Sequence, residues 1–181
     1  SLGAFRYTGI EKARMLLPRC FSPESGVEAS QGPSAIEANV GAVVIPCAIE
    51  VGVFSYNVAG AGTANAVVRF VLYTVDGGTQ LFNITDAVGA ATGVRTIAIS
   101  PTVFLPPGIY YIFNCLSSGT TSPTMSHWTT AGTFAAGGSG EPDIEGVLTI
   151  TAGAAPTTLD PTALTTPAVS RTLSFRLDGT D

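Results

Sequence analysis

The chain's single histidine, His127, follows Ser126, and a serine beside a histidine is the first pair to test for nucleophilic chemistry. Geometry rejects it. Adjacent strand residues point to opposite faces, so the two cannot easily bond, and no Gly-x-Ser-x-Gly turn raises a serine into a cleft. A lone histidine also excludes multi-histidine metal sites such as His-Glu-x-x-His. Glu141, Asp143 and Glu145 alternate across Pro142 and Ile144. Such carboxylates could ligate a hard cation like calcium, or form a glycosidase pair. Calcium needs more oxygen ligands set in a loop, and a glycosidase needs its carboxylates across a sugar cleft. A solvated acidic turn is therefore the favoured reading, with cation binding left open.

Aromatic residues give a second set of candidates. His127-Trp128 could contact a sugar or a protein through an aromatic ring with a polar edge, although ordinary partial burial accounts for the pair more simply. Tyr110 and Tyr111 point to opposite sides of one strand, so one enters the core and the other reaches a sheet face. Packing is the expected role of both. Gly60–Gly62 lacks the Gly-x-Gly-x-x-Gly spacing and a Walker lysine, so nucleotide binding has no support. The expectation is a non-enzyme with no catalytic, cofactor-binding or metal-ligating residues and no cofactor. No ligand-binding residue is identified.

Composition narrows the class further. One domain with a real core suits 181 residues. Charged residues make up 12% of the chain, about half the usual share, while 45% are hydrophobic. No Asp, Glu, Lys or Arg occurs between Arg95 and Glu141, but prolines and glycines interrupt that stretch too often for a membrane helix of about 20 residues. A surface so poor in ions favours an obligate assembly, in which copies of the chain cover one another. The net charge of −5 argues against nucleic acid as the main partner. Arg6, Lys12, Arg14 and Arg19 gather near the start of the chain with Glu11 among them, which reads as an interaction arm. Cys20, Cys47 and Cys115 are odd in number and have no metal or redox spacing. Ser1–Gly9 lacks the apolar core of a secretory signal, so free thiols in a reducing cytoplasm are expected.

The elements that must carry these residues read as strands. Residues 1–39 look like an arm or strap, with a short helix over Ile10–Leu17 stopped by Pro18. Strands are expected from Val40 onward: Val43–Ile45, Ile49–Val58, Ala66–Val75, Val94–Ile99, Val103–Leu105, Ile109–Leu116, Thr124–Thr130, Val147–Thr151 and Arg171–Asp178. Ile49–Val58 and Ala66–Val75 carry apolar residues on both sides, which predicts cover on both faces. Arg69 interrupts the second run and needs a carboxylate or carbonyl partner. Asp76-Gly77-Gly78 can turn a hairpin, and Pro106-Pro107-Gly108 forces a corner. Residues 152–170 are mostly Ala, Thr and Pro and read as an extended strap. The fold class is all-β: an antiparallel β-sandwich over 40–181, jelly-roll-like, with an extended N-terminal arm.

The middle of the chain resembles small β-sandwich, jelly-roll-like domains of tailed-bacteriophage virion proteins, of the tail-fibre and receptor-binding type. The matching residues are Ala59-Gly60, Val68-Arg69-Phe70, Leu72-Tyr73, Asp76-Gly77-Gly78, Leu81, Thr96-Ile97, Leu105, Pro107-Gly108 and Tyr110-Tyr111. The resemblance covers roughly the middle third to half of the chain, in a pattern of ordinary strand and turn chemistry. It implies a virion surface protein, assembled in the bacterial cytoplasm as a homotrimer and joined to other virion proteins through its N-terminal arm. Such a protein would contact a glycan or protein on the host surface. A capsid decoration protein and a carbohydrate-binding module are the alternatives. Neither nucleic acid nor membrane insertion is expected.

Overall fold

The computed structural model describes residues 14–17, 27–129, 145–165 and 172–179. Among these residues twelve strands form two antiparallel sheets, as the all-β sandwich expectation requires. In chain order they are β1 (Arg14–Leu17), β2 (Val27–Gln31), β3 (Glu37–Ile45), β4 (Ile49–Gly60), β5 (Val67–Thr74) and β6 (Gln80–Asp86). They continue with β7 (Gly93–Leu105), β8 (Gly108–Ser118), β9 (Thr124–Thr129), β10 (Glu145–Thr149), β11 (Thr172–Leu173) and β12 (Phe175–Gly179). The five-stranded sheet has the order β10-β3-β8-β5-β6. In the seven-stranded sheet β7 lies on one flank of β4, while β12 and β9 share the other; β1 adds to β12, and β2 and β11 add to β9.

Alternation along each strand builds the main core between the sheets. Phe54, Tyr56 and Val58 of β4 meet Phe70 and Leu72 of β5, Ile112 of β8, and Phe175 and Leu177 of β12. Aromatic rings dominate its centre, with Phe54–Phe70 and Tyr56–Phe70 centroids 4.8 and 4.5 Å apart. Leu173, Phe175 and Leu177 all point inward, as their spacing predicts. A second core lies on the outer side of the five-stranded sheet. Val40, Val71, Tyr73, Tyr111, Phe113 and Cys115 are buried there beneath Leu159 and Leu164 of the segment that follows β10. Strand β5 is thus covered on both faces, as expected. β8 is too.

Gly77 links the hairpin to that covering segment. Its φ is +68°, which a glycine adopts without strain, and a Cβ there would lie 1.8 Å from the Leu159 carbonyl oxygen. The Leu159 N–H donates to the Gly77 carbonyl at 2.8 Å, so the β5–β6 turn is also the strap's anchor.

The structure departs from expectation near the start of the chain. Arg14–Leu17, the described part of the Ile10–Leu17 helix, is a strand on β12 with Arg14 opposite Asp178. Ile10–Ala13 lie outside the described residues. Two turns of isolated helix gain too little to compete with a ladder on a ready-made strand, and so short an apolar run does not fix its own period. Val27–Gln31, expected within a strap, pairs along its whole length with β9, and β3 opens at Glu37 rather than Val40. Two strands of the sandwich therefore precede residue 40. Val94–Ile99 and Val103–Leu105 are a single strand, β7, whose register against β4 shifts between Val51 and Val53. Arg171–Asp178 is interrupted at Ser174, where the ladder passes from β9 to β4.

Candidate functional site

His127 and Ser126 do face opposite ways. His127 is fully buried in β9, with Nδ1 2.7 Å from the Met125 carbonyl oxygen. The Ser126 hydroxyl accepts from Asn57 Nδ2 at 2.8 Å on the other side of the sheet. The pair forms no charge-relay geometry. Trp128 lies opposite Glu28 and Thr172 in the ladders of β9. Glu141 and Asp143 lie outside the described residues, and Glu145 heads β10 opposite Gly41. Among the described residues no group of three His, Cys, Asp or Glu side chains could hold a metal ion.

Tyr110 and Tyr111 both pack, on opposite faces of β8. Tyr110 enters the main core and its hydroxyl donates to the Pro106 carbonyl at 2.6 Å, tying the Pro106-Pro107-Gly108 corner to the strand it releases. Tyr111 belongs to the second core. Cys47 is exposed at the β3–β4 turn, while Cys115 is buried and its thiol lies against the Gly153 carbonyl oxygen at 3.3 Å. Burial pushes the Cys115 pKa up to about 11, so that sulfur stays protonated and poorly nucleophilic.

Arg69 finds an amide carbonyl rather than a carboxylate. Its Nη1 donates to Asn83 Oδ1 at 2.9 Å. Asn83 donates in turn to Gln80 Oε1, and Gln80 Nε2 donates to the Pro156 carbonyl at 2.7 Å, where the Tyr73 hydroxyl also donates. Burial pushes the Tyr73 pKa up to about 12. This row of polar groups fastens the strap to β5 and β6. It does not converge on a cleft.

Sequence reasoning missed a three-residue polar cluster that joins the two sheets. Arg95 of β7 grips Asp86 of β6 with both Nε and Nη2, at 2.8 and 2.7 Å, and the Tyr56 hydroxyl of β4 donates to the same carboxylate at 2.9 Å. Burial works to raise the Asp86 pKa, but the Arg95 and Tyr56 hydrogen bonds outweigh it and hold the carboxyl below the usual range. Burial, reinforced by the Asp86 charge, pushes the Tyr56 pKa well up. Asp86 therefore remains an anion and Tyr56 a neutral donor, which suits a clamp between the two sheets and not acid–base chemistry. The three residues are 30 and 9 positions apart in sequence, and only the shared edge of the sandwich brings them together.

Among the described residues, concavities also lie outside these clusters. An open recess of about 380 Å³ beside the strap is lined by Leu148, Ile150, Ala154, Pro156, Thr158 and Asp160, among others. The carboxylate of Asp160 is occupied locally by the Thr162 hydroxyl and N–H, which hold its pKa down. A shallower groove of about 160 Å³ crosses the outer face of the seven-stranded sheet between Asn57, Val94 and Arg176. No family model matches the chain, and neither a curated protein nor a solved structure matches it. The two antiparallel sheets make the fold class an antiparallel β-sandwich, and what the molecule does must be argued from its surfaces.

Proposed function

We propose that the protein is a structural component of a tailed-bacteriophage virion, exposed on the particle and acting in assembly and host attachment as a tail-fibre or receptor-binding component. The observation that carries the reading is where the resembling stretch falls. Residues 59–111 supply β5, β6, β7 and the start of β8, the Asp76-Gly77-Gly78 hairpin and the Pro107-Gly108 corner. They build one continuous flank of the sandwich. The polar clusters around that flank join strand to strand and strap to sheet. Such wiring suits a load-bearing particle component. We read the finer topology as a jelly roll, because the links β3–β4, β4–β5, β6–β7, β7–β8 and β8–β9 each pass from one sheet to the other.

In this reading copies of the chain associate, the homotrimer being the state the resemblance implies, and repeated weak contacts with a host surface gain avidity. Immunogold labelling of source particles with antibodies against the protein tests the assignment. Labelling at the tail, with adsorption blocked by the purified protein, supports it. Labelling spread over the head would assign the protein to capsid decoration instead. Particles that carry none of it would end the virion reading. Binding on a glycan array in that last case would favour a carbohydrate-binding module.

A further inference from the structure

The five-stranded sheet ends at β10, and among the described residues no strand lies on its far side. Such a flank presents main-chain N–H and C=O groups that template a further strand. In an antiparallel ladder alternate residues turn both groups to the same side. β10 spans Glu145–Thr149, and its middle residue, Val147, turns them away from β3. The Val147 N–H donates to the Thr165 carbonyl at 2.9 Å, and its carbonyl accepts from the Thr165 N–H at 3.0 Å. The outward positions are therefore Glu145, Val147 and Thr149. The strap that leaves β10 returns to occupy the central one.

Two further features hold it there. The Thr165 hydroxyl also donates to the Val147 carbonyl, at 3.0 Å. Leu164, buried in the second core, lies so close to β10 that a Cβ on Gly146 would stand 2.5 Å from its Cβ. A glycine inside a strand weakens it, and here it permits this approach.

We infer that the end of the strap is a guard on the β10 edge: Thr165, held by Leu164, keeps a second copy of this chain from adding its own β10 there. An added strand must bond to successive outward residues. With Val147 taken, those left are Glu145 and Thr149, at opposite ends of the strand. The excluded partner follows from register. Two β10 strands set antiparallel about Val147 put Glu145 of each copy opposite Thr149 of the other, so the pairing brings no carboxylate against another in a chain of net charge −5. The unguarded edge is self-complementary. The inference does not rest on the proposed virion role, because it concerns an association that the fold prevents.

Thr165→Pro tests it. Proline removes the N–H and the hydroxyl, while Leu164, at φ −70° and ψ 140°, already holds a conformation that a following proline accepts. Residue-resolved amide exchange should show Val147 protected in the wild-type chain and exchanging about tenfold faster or more in dilute Thr165→Pro. Sedimentation velocity at micromolar concentrations should then give the variant a species of twice the wild-type mass, with Val147 protected again as that species fills. Gly146→Ala pushes Leu164 away from β10 and should do the same, which supplies the reading should Thr165→Pro lose its β-sheet circular dichroism. Tyr73→Phe loosens the strap at Pro156 instead and should keep the wild-type mass. An unprotected Val147 amide in the wild type overturns the inference. So does a variant that frees this amide yet keeps the wild-type mass, and so does doubling in Tyr73→Phe.

Discussion

The two sheets of this sandwich differ in what lies on their outer faces. The five-stranded sheet is sealed by the chain itself: the strap after β10 drops Leu159 and Leu164 onto Tyr73, Tyr111 and Phe113, and main-chain bonds hold it at Gly77 and Ala35. Over the outer face of the seven-stranded sheet no equivalent strap lies among the described residues. That face instead carries hydroxyls, an amide and one ion pair that bond among themselves. A chain can therefore spare surface charge in two ways, by covering a face or by leaving it internally satisfied. A low charged fraction alone does not separate the two.

The comparison is sharpened first by emptying the core both sheets share. Phe70→Ala removes the ring that touches both Phe54 and Tyr56 and should cost about 3–5 kcal/mol, read as a lower urea midpoint. Leu159→Ala acts on the strap alone and should cost about 2–4 kcal/mol. It should also speed labelling of Cys115 by a thiol reagent, measured residue by residue by mass spectrometry. If Cys115 stays as protected as in the wild type, the strap is not what seals that face.

Asp86→Asn tests the clamp between the sheets and should cost about 1–3 kcal/mol at neutral pH, since it weakens the bonds to Arg95 and Tyr56. The pH dependence has a definite sign. A carboxyl whose folded-state pKa is depressed stabilises the fold above its unfolded value, about 3.9, and loses that contribution as pH falls through the folded value. The gap between wild type and variant should thus be full above about pH 4 and close in stronger acid. A constant gap would mean the carboxylate's charge is not what matters. The smallest effect belongs to the outer side of the seven-stranded sheet. Ser55→Ala should cost about 0.5–1.5 kcal/mol in thermal unfolding, because its hydroxyl partner Thr96 remains free to bond water.

Much of this was readable along the chain. Apolar residues on both sides of Ala66–Val75 marked a strand covered on both faces, Asp76-Gly77-Gly78 marked the hairpin, and the same reading of Ile49–Val58 located a strand of which one side enters a core. Arg69 was expected to need a partner and found Asn83. The opposite facing of Ser126 and His127 followed from strand geometry alone. What stayed hidden was long-range: neither Tyr56, Asp86 nor Arg95 stands out locally, and the strand character of Arg14–Leu17 depends on β12, at the other end of the chain.

The sequence by itself determined the class of fold, because period-two alternation and turn residues act over a few neighbours and leave little choice but sheet. It also set the low charge that any account of the surface must meet. Only the tertiary structure decided which strands lie side by side, which sheet the strap covers and where the carboxylates remain exposed. Those outcomes depend on contacts between residues far apart in the chain, whose energies no local pattern records.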